Sequence, residues 1–198
     1  NTVYDAKILG LPKIEDPRGN LSIIEQMKQI PFEIKRTYWI YDVPGGKDRG
    51  GHAYKENEEF IVALSGSFDV ELDDGKNKQK FSLNRSYHGL YVPKGMWRTM
   101  TNFSTNSLAL VLSSTEYDEN DYIMDYEEFK RWTKDNTIQT VSSDARTSVK
   151  VNEVDSQGML KEGKSVFDCS LCELNKMHDP EGNLTYMYEN VHVPFPIN

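Results

Sequence analysis

The stretch GGHAYKENEEFIVALSG, residues 50–66, decides the fold. Its second half, EEFIVALSG, is a short apolar run closed by glycine, the pattern of a buried strand. Its first half puts His52 and Tyr54 two residues apart, on one side of an extended chain, with Glu59 five residues further on.

Working outward, the flanks repeat the strand pattern. LSIIE, KRTYWIYDV, SFDVELDDG, HGLYVP and SLALVLSS are rich in β-branched and aromatic residues and are bounded by Gly, Pro, Asn or Asp. GSFDVELDDGKNKQKFSL reads as a hairpin turning at Asp74-Gly75. Short strands at this spacing, without intervening helices, predict an all-β sandwich or barrel over residues 20–113. DENDYIMDYEEFKRW then places Tyr122, Ile123, Tyr126, Phe129 and Trp132 at helical spacing, which predicts one helix packed on the barrel. Residues 133–165 are polar and lack periodicity, as in a linker.

Residues 3–34 align without a gap on residues 166–197. Val3, Asp5, Leu11, Lys13, Asp16, Pro17, Gly19, Asn20, Leu21, Pro31, Phe32 and Ile34 recur at a constant offset of 163. The expected organisation is a domain over 1–132, a linker over 133–165 and the opening strands of a second copy over 166–198. The copy stops before its counterpart of KRTYWIYDV, which implies a natural protein longer than this chain. The Cys169–Cys172 pair has the CxxC form, but its counterparts are Ala6 and Leu9, so both are read as small strand residues.

The chain has 198 residues and a formal charge of −8. No basic patch suggests nucleic acid, no apolar run reaches the length of a membrane span, and two cysteines make no disulfide framework, so a cytoplasmic protein is expected. His88, His178 and His192 have no partners in a ligand pattern.

Two motifs can be laid on the sequence: Gly46-x5-His52-x-Tyr54-x4-Glu59-x6-Gly66, and Gly89 through Pro93 and Gly95 to Arg98 and Asn102. In this spacing the chain resembles the cupins, small jelly-roll β-barrels. A metal-binding cupin has its ligands at the positions of His52, Tyr54, Glu59 and Arg98. Arginine has no lone pair to give and tyrosine ligates only after losing a proton with a pKa near ~10, so no metal and no cofactor are expected.

Within the cupins, RGNLSIIE, IKRTYWIYD, RGGHAYK, GLYVPKGMWR and TEYDENDYI resemble the dTDP-4-keto-6-deoxyhexose 3,4-ketoisomerases, from about Lys13 to Trp132. The resemblance implies a metal-independent isomerase that moves a keto group from C4 to C3 of a dTDP-linked sugar through an enediol. It implies a homodimer, and a product bound for a cell-surface polysaccharide. His52 takes the place of the first of two family histidines and is expected to be the proton-transfer base. Tyr54 stands at the second, where a neutral phenol donates to an enediolate, orients His52 or fills space. Tyr38 matches a tyrosine at the cavity. Arg18, Arg36, Arg49 and Arg98 match segments that would contact sugar or diphosphate, and Glu59 is expected to pair with Arg98 or orient His52. The alternative is a non-catalytic sugar-nucleotide-binding domain, one half of a tandem whose second copy is the enzyme; a related epimerisation through the same kind of enolate is a third reading.

Overall fold

The computed structural model describes residues 1–139, 174, 176–177 and 179–187. The strands are β1 (Lys7–Gly10), β2 (Lys13–Ile14), β3 (Leu21–Ser22), β4 (Arg36–Tyr41), β5 (Arg49–Tyr54), β6 (Glu59–Ser65), β7 (Phe68–Asp73), β8 (Lys78–Leu83), β9 (His88–Val92), β10 (Trp97–Thr101), β11 (Leu108–Ser113), β12 (Tyr122–Ile123), β13 (Lys176–Met177) and β14 (Asn183–Met187). One helix, α1, spans Tyr126–Gln139.

The strands form a seven-stranded sheet in the order β1-β9-β6-β11-β4-β14-β13, a five-stranded sheet in the order β12-β5-β10-β7-β8, and a separate β2-β3 ribbon. Every pairing between strands is antiparallel. The two large sheets face each other as the halves of the cupin-type barrel.

Alternation explains why β6 reads as a continuous apolar run. Ile61 and Ala63 point into the barrel with Ile40, Val70, Leu72, Leu90, Met100, Ala109 and Val111. Phe60 and Val62 point outward, but Leu11, Ile30, Phe32 and Ile34 cover that face. Both faces of β6 are thus buried, and each large side chain contributes on the order of 1.5–3 kcal/mol. LSIIE was expected to be a strand throughout; only Leu21–Ser22 pairs, and the chain beyond it wraps the outer face.

The hairpin between β7 and β8 closes at Asp73 opposite Lys78. Asp74 accepts the amides of Lys76 and Asn77 at 2.9 and 2.7 Å, and Gly75 has φ +86°, as the expected turn requires.

The predicted helix begins four residues later than its apolar spacing indicates. Tyr122 and Ile123 form β12 against β5, with Tyr122 opposite Tyr54. The helix starts after Asp125, whose carboxylate accepts the Glu128 amide at 2.7 Å. Phe129 is fully buried beside Ala53 and Ile123, with Trp97, Tyr126 and Trp132 around it, so α1 backs the strand that carries His52 and Tyr54. It runs on to Gln139, into the stretch read as linker. The remainder of that stretch and Cys169 and Cys172 lie outside the described residues. No described helix is long and apolar enough to cross a membrane.

Candidate active site

The register of the sheets stacks the barrel interior in rows. Ser113 lies opposite both Arg36 and Glu59; one step down, Val111 lies opposite Tyr38 and Ile61; below that, Ala109 lies opposite Ile40 and Ala63. The first row is polar and the third is apolar. On the facing sheet Arg98 lies opposite His52. The polar groups therefore gather at one end of the barrel.

An irregularity in β5 increases their number. The pairing passes from Arg98 opposite His52 to Thr99 opposite Gly50, leaving Gly51 as an extra residue. Such a bulge reverses the alternation before it, so Arg49, opposite Met100, shares the inward face of His52. Gly50 and Gly51 have φ of +96° and +72°, and a Cβ on Gly50 would lie 2.7 Å from the Arg98 carbonyl oxygen. The two glycines before His52 are required by this geometry.

Arg98 is the hub. Its Nε lies 2.8 Å from Glu59 Oε2, with both side chains almost fully buried. Its Nη2 reaches the Tyr38 hydroxyl at 3.3 Å and His52 Nε2 at 3.1 Å. Tyr38 in turn donates to Glu59 Oε1 at 2.6 Å. A guanidinium only donates, so His52 Nε2 carries the lone pair and its other nitrogen holds the proton, bonded to the backbone of Gly50. Burial, and then the positive charge of Arg98, push the imidazole down to about 3, so His52 is neutral across physiological pH. Burial and the charge of Glu59 push the Tyr38 phenol above its ordinary range, and burial does the same for Tyr54, with Tyr38 and Glu59 adding to it.

Tyr54 donates to the Tyr122 hydroxyl at 3.0 Å and meets His52 edge-on, ring centres 5.0 Å apart. Tyr122 lies 5.2 Å from the His52 ring. His52 and Tyr122 are only partly buried, whereas Arg36, Tyr38, Glu59 and Arg98 are buried. Arg36 stands 5.5 Å from the Tyr38 ring and 5.7 Å from that of Tyr117. Its Nε is buried without a hydrogen-bond partner among the described residues. A buried guanidinium with an unspent donor suits an anionic or strongly polar ligand.

Seven of the eight expected residues thus belong to one assembly: His52, Tyr54, Tyr38, Arg36, Arg49, Glu59 and Arg98. Arg18 does not. Its side chain is 91% exposed and makes a bidentate pair with Asp16, and none of its contacts is with the cluster. Tyr122 and Tyr117 join the site unannounced, because both were read as parts of a helix and its acidic lead-in. The cluster does not suit a metal: Glu59 is engaged by Arg98 and Tyr38, and a cation there would face the guanidiniums of Arg98 and Arg36. A second cleft, of about 440 Å³, lies between Lys78, Lys80, Trp97 and Tyr126. It shares no residue with the cluster, and its lysines are paired with Asp73, Asp69 and Glu71.

Known proteins of similar sequence share this domain. A TDP-4-oxo-6-deoxy-alpha-D-glucose-3,4-oxoisomerase of Aneurinibacillus thermoaerophilus is 45% identical over 126 residues, 64% of this chain and 91% of that protein. The crystal structure of the WlaRB TDP-quinovose 3,4-ketoisomerase from Campylobacter jejuni is 49% identical, with a TM-score of 0.62 over 64% of this chain and 98% of that one. The 3,4-ketoisomerase QdtA of Thermoanaerobacterium thermosaccharolyticum, solved in complex with TDP, is 34% identical, with a TM-score of 0.66 over 68% and 98% of the two chains. The family model described as "FdtA: WxcM-like, C-terminal" matches residues 4–134, the barrel and its helix, and the chain belongs to that family.

Proposed function

We propose that the domain interconverts the 4-keto and 3-keto forms of a dTDP-linked 6-deoxyhexose through an enediol, with His52 as the base. The observation that carries this reading is the Arg98–His52 pair. A neutral imidazole lone pair and a fixed positive donor meet at one point, 3.1 Å apart.

A carbonyl oxygen entering between them takes the Arg98 N–H and releases Nε2. His52 then removes the proton from C3, the electrons form the C3–C4 double bond, and charge collects on O4 beside Arg98. The O3 proton passes to O4, C3 becomes the carbonyl, and C4 receives the proton from His52. C3 is oxidised and C4 reduced, with no external electron carrier. Tyr54, a neutral phenol next to the imidazole, turns its hydroxyl from Tyr122 to the enediolate and stabilises it. Tyr38 spends its hydroxyl on Glu59, so both act as positioning residues for Arg98. The unspent donors of Arg36 and the inward-turned Arg49 receive the diphosphate. The relatives' named activities and the TDP bound by one of them support the substrate class.

A second reading keeps the site but not the turnover: a domain that binds the sugar nucleotide while a second copy reacts. The phenol of Tyr54 favours it, since it cannot serve as a base near neutrality. Proton NMR with dTDP-4-keto-6-deoxyglucose in D₂O separates the two. Turnover by the wild-type chain gives the 3-keto isomer with deuterium at C4, and His52→Ala gives none. Binding without isomerisation or exchange would establish the second reading.

A further inference from the structure

The position of Tyr122 is fixed from three sides. In the β12–β5 pairing it lies directly opposite Tyr54, and side chains opposite each other in an antiparallel pair share one face of the sheet. The residue before it, Asp121, accepts the Glu56 and Asn57 amides on its carboxylate at 2.7 and 3.1 Å, and the Lys55 amide on its carbonyl oxygen at 2.9 Å. The residue after it, Ile123, is buried with Ala53 and Phe129. The Tyr122 ring therefore sits where the backbone puts it, 4.6 Å from the ring of Tyr54 and 5.2 Å from that of His52.

In the free protein the bond between the two phenols runs one way, from the Tyr54 hydroxyl to that of Tyr122 at 3.0 Å. A hydroxyl has one hydrogen to give and two lone pairs that accept. Tyr54 is buried, and among the described residues it has no hydrogen-bond partner besides Tyr122. Tyr122 is half-buried, and among the described residues its own hydrogen meets no acceptor.

When the Tyr54 hydrogen turns to an oxyanion, no hydrogen remains between the two phenol oxygens. At 3.0 Å that arrangement sets lone pair against lone pair, and the pinned rings cannot draw apart. The Tyr122 hydrogen, which has no other acceptor among the described residues, can fill the gap by a rotation about one bond.

Resting on the isomerase reading above, we propose that Tyr122 is a positioning residue for the enolisation: its hydrogen bond with Tyr54 reverses as the enediolate forms, Tyr122 becoming the donor and Tyr54 the acceptor. Before charge develops, a Tyr122 lone pair holds the Tyr54 hydrogen. Once charge collects on O4, the bond from Tyr122 polarises the Tyr54 phenol and makes it a better donor. The gain belongs to the transition state and not to the bound ground state, the condition for raising kcat. No proton changes its owner in the pair; two hydroxyls rotate.

Turnover of dTDP-4-keto-6-deoxyglucose by the full chain, followed by proton NMR, tests this. Tyr122→Phe keeps the ring and the β12 pairing and removes only the hydroxyl. It is expected to lower kcat about 3- to 10-fold, the scale of one neutral hydrogen bond, with KM unchanged. In the Tyr54→Phe background the same substitution is expected to change nothing further, because the hydroxyl it acts through is gone. If Tyr122 only competed for the Tyr54 hydrogen, Tyr122→Phe would raise kcat. If it met the substrate itself, it would lower kcat in the Tyr54→Phe background as well. Either result overturns the proposal, and so does an unchanged kcat in Tyr122→Phe. A wild-type chain without turnover overturns the isomerase reading and this inference together, whereas the other results overturn this one alone. Should Tyr122→Phe not fold, fluorotyrosine in place of Tyr122 keeps the ring and hydroxyl and donates a stronger hydrogen bond. Its kcat is expected to rise, and an unchanged or lower kcat overturns the proposal.

Discussion

Nη2 of Arg98 lies 3.1 Å from Nε2 of His52, so the nitrogen proposed to take a substrate proton is already in contact with a fixed positive charge. Burial and then this contact keep the imidazole neutral, and the contact makes its basicity depend on what enters beside it. It also sets the pH behaviour of the free protein.

The kcat/KM profile is expected to be flat from pH 5 to pH 8, because it reports groups of the free protein and His52 titrates near 3. An acid limb centred near ~6.5, the ordinary histidine value, would show that the imidazole is not held as described.

The same shift governs stability. The folded chain keeps His52 unprotonated down to about pH 3, whereas the unfolded chain binds a proton below ~6.5. The native state is thus fully favoured by this group above ~6.5 and loses that advantage as pH falls toward 3, by at most about 1.4 kcal/mol per pH unit. Urea titrations between pH 4 and 7 should show a shallower slope for His52→Gln than for wild type.

Glu59→Gln leaves the Arg98 charge buried without its carboxylate, which costs about 3–5 kcal/mol. The urea midpoint is expected to fall accordingly with an unchanged m-value. A loss under 1 kcal/mol would mean that the pair contributes little to the barrel.

Tyr54→Phe removes the donor beside His52 and its bond to Tyr122. The expected result is a fall in kcat of about 10²-fold, the scale of losing one oxyanion donor, with dTDP affinity nearly unchanged. Wild-type turnover in this variant would assign Tyr54 to packing alone.

A methyl at Gly89 would overlap the Phe60 ring. Gly89→Ala is therefore expected to lower stability by about 1–3 kcal/mol through overpacking, on the outer face of the sheet and with kcat preserved. Thermal melts and turnover on the same sample check both halves.

Much of the barrel was legible in the sequence because β4, β6, β7, β9 and β11 carry β-branched or aromatic runs closed by turn residues. β5 and β10 were not, since RGGHAY is glycine-rich and WRTMT alternates with polar residues, and their strand character comes from pairing with each other. The helix start was misplaced because Tyr122 and Ile123 extend its apolar spacing by coincidence. The D-x-x-E pattern at Asp125–Glu128 would have set it correctly. Most of the candidate site followed from motif spacing, which fixes positions along strands that face one another. Arg18 was grouped with it by sequence segment, and no local signal shows that its hairpin stands apart from its own barrel. Tyr117 reaches Arg36 only through the path of the chain after β11, which no periodicity encodes.

The bulge at Gly51 makes the interior charge of the barrel a matter of parity. The same residues paired without the bulge would leave His52 where it is and bring Gly50 opposite Met100. Every side chain upstream of Gly51 would change sides, and Arg49 would leave the barrel for the outer face. Among the described residues the guanidiniums facing inward are Arg36, Arg49 and Arg98, and a residue that has no side chain of its own decides the side of one of them.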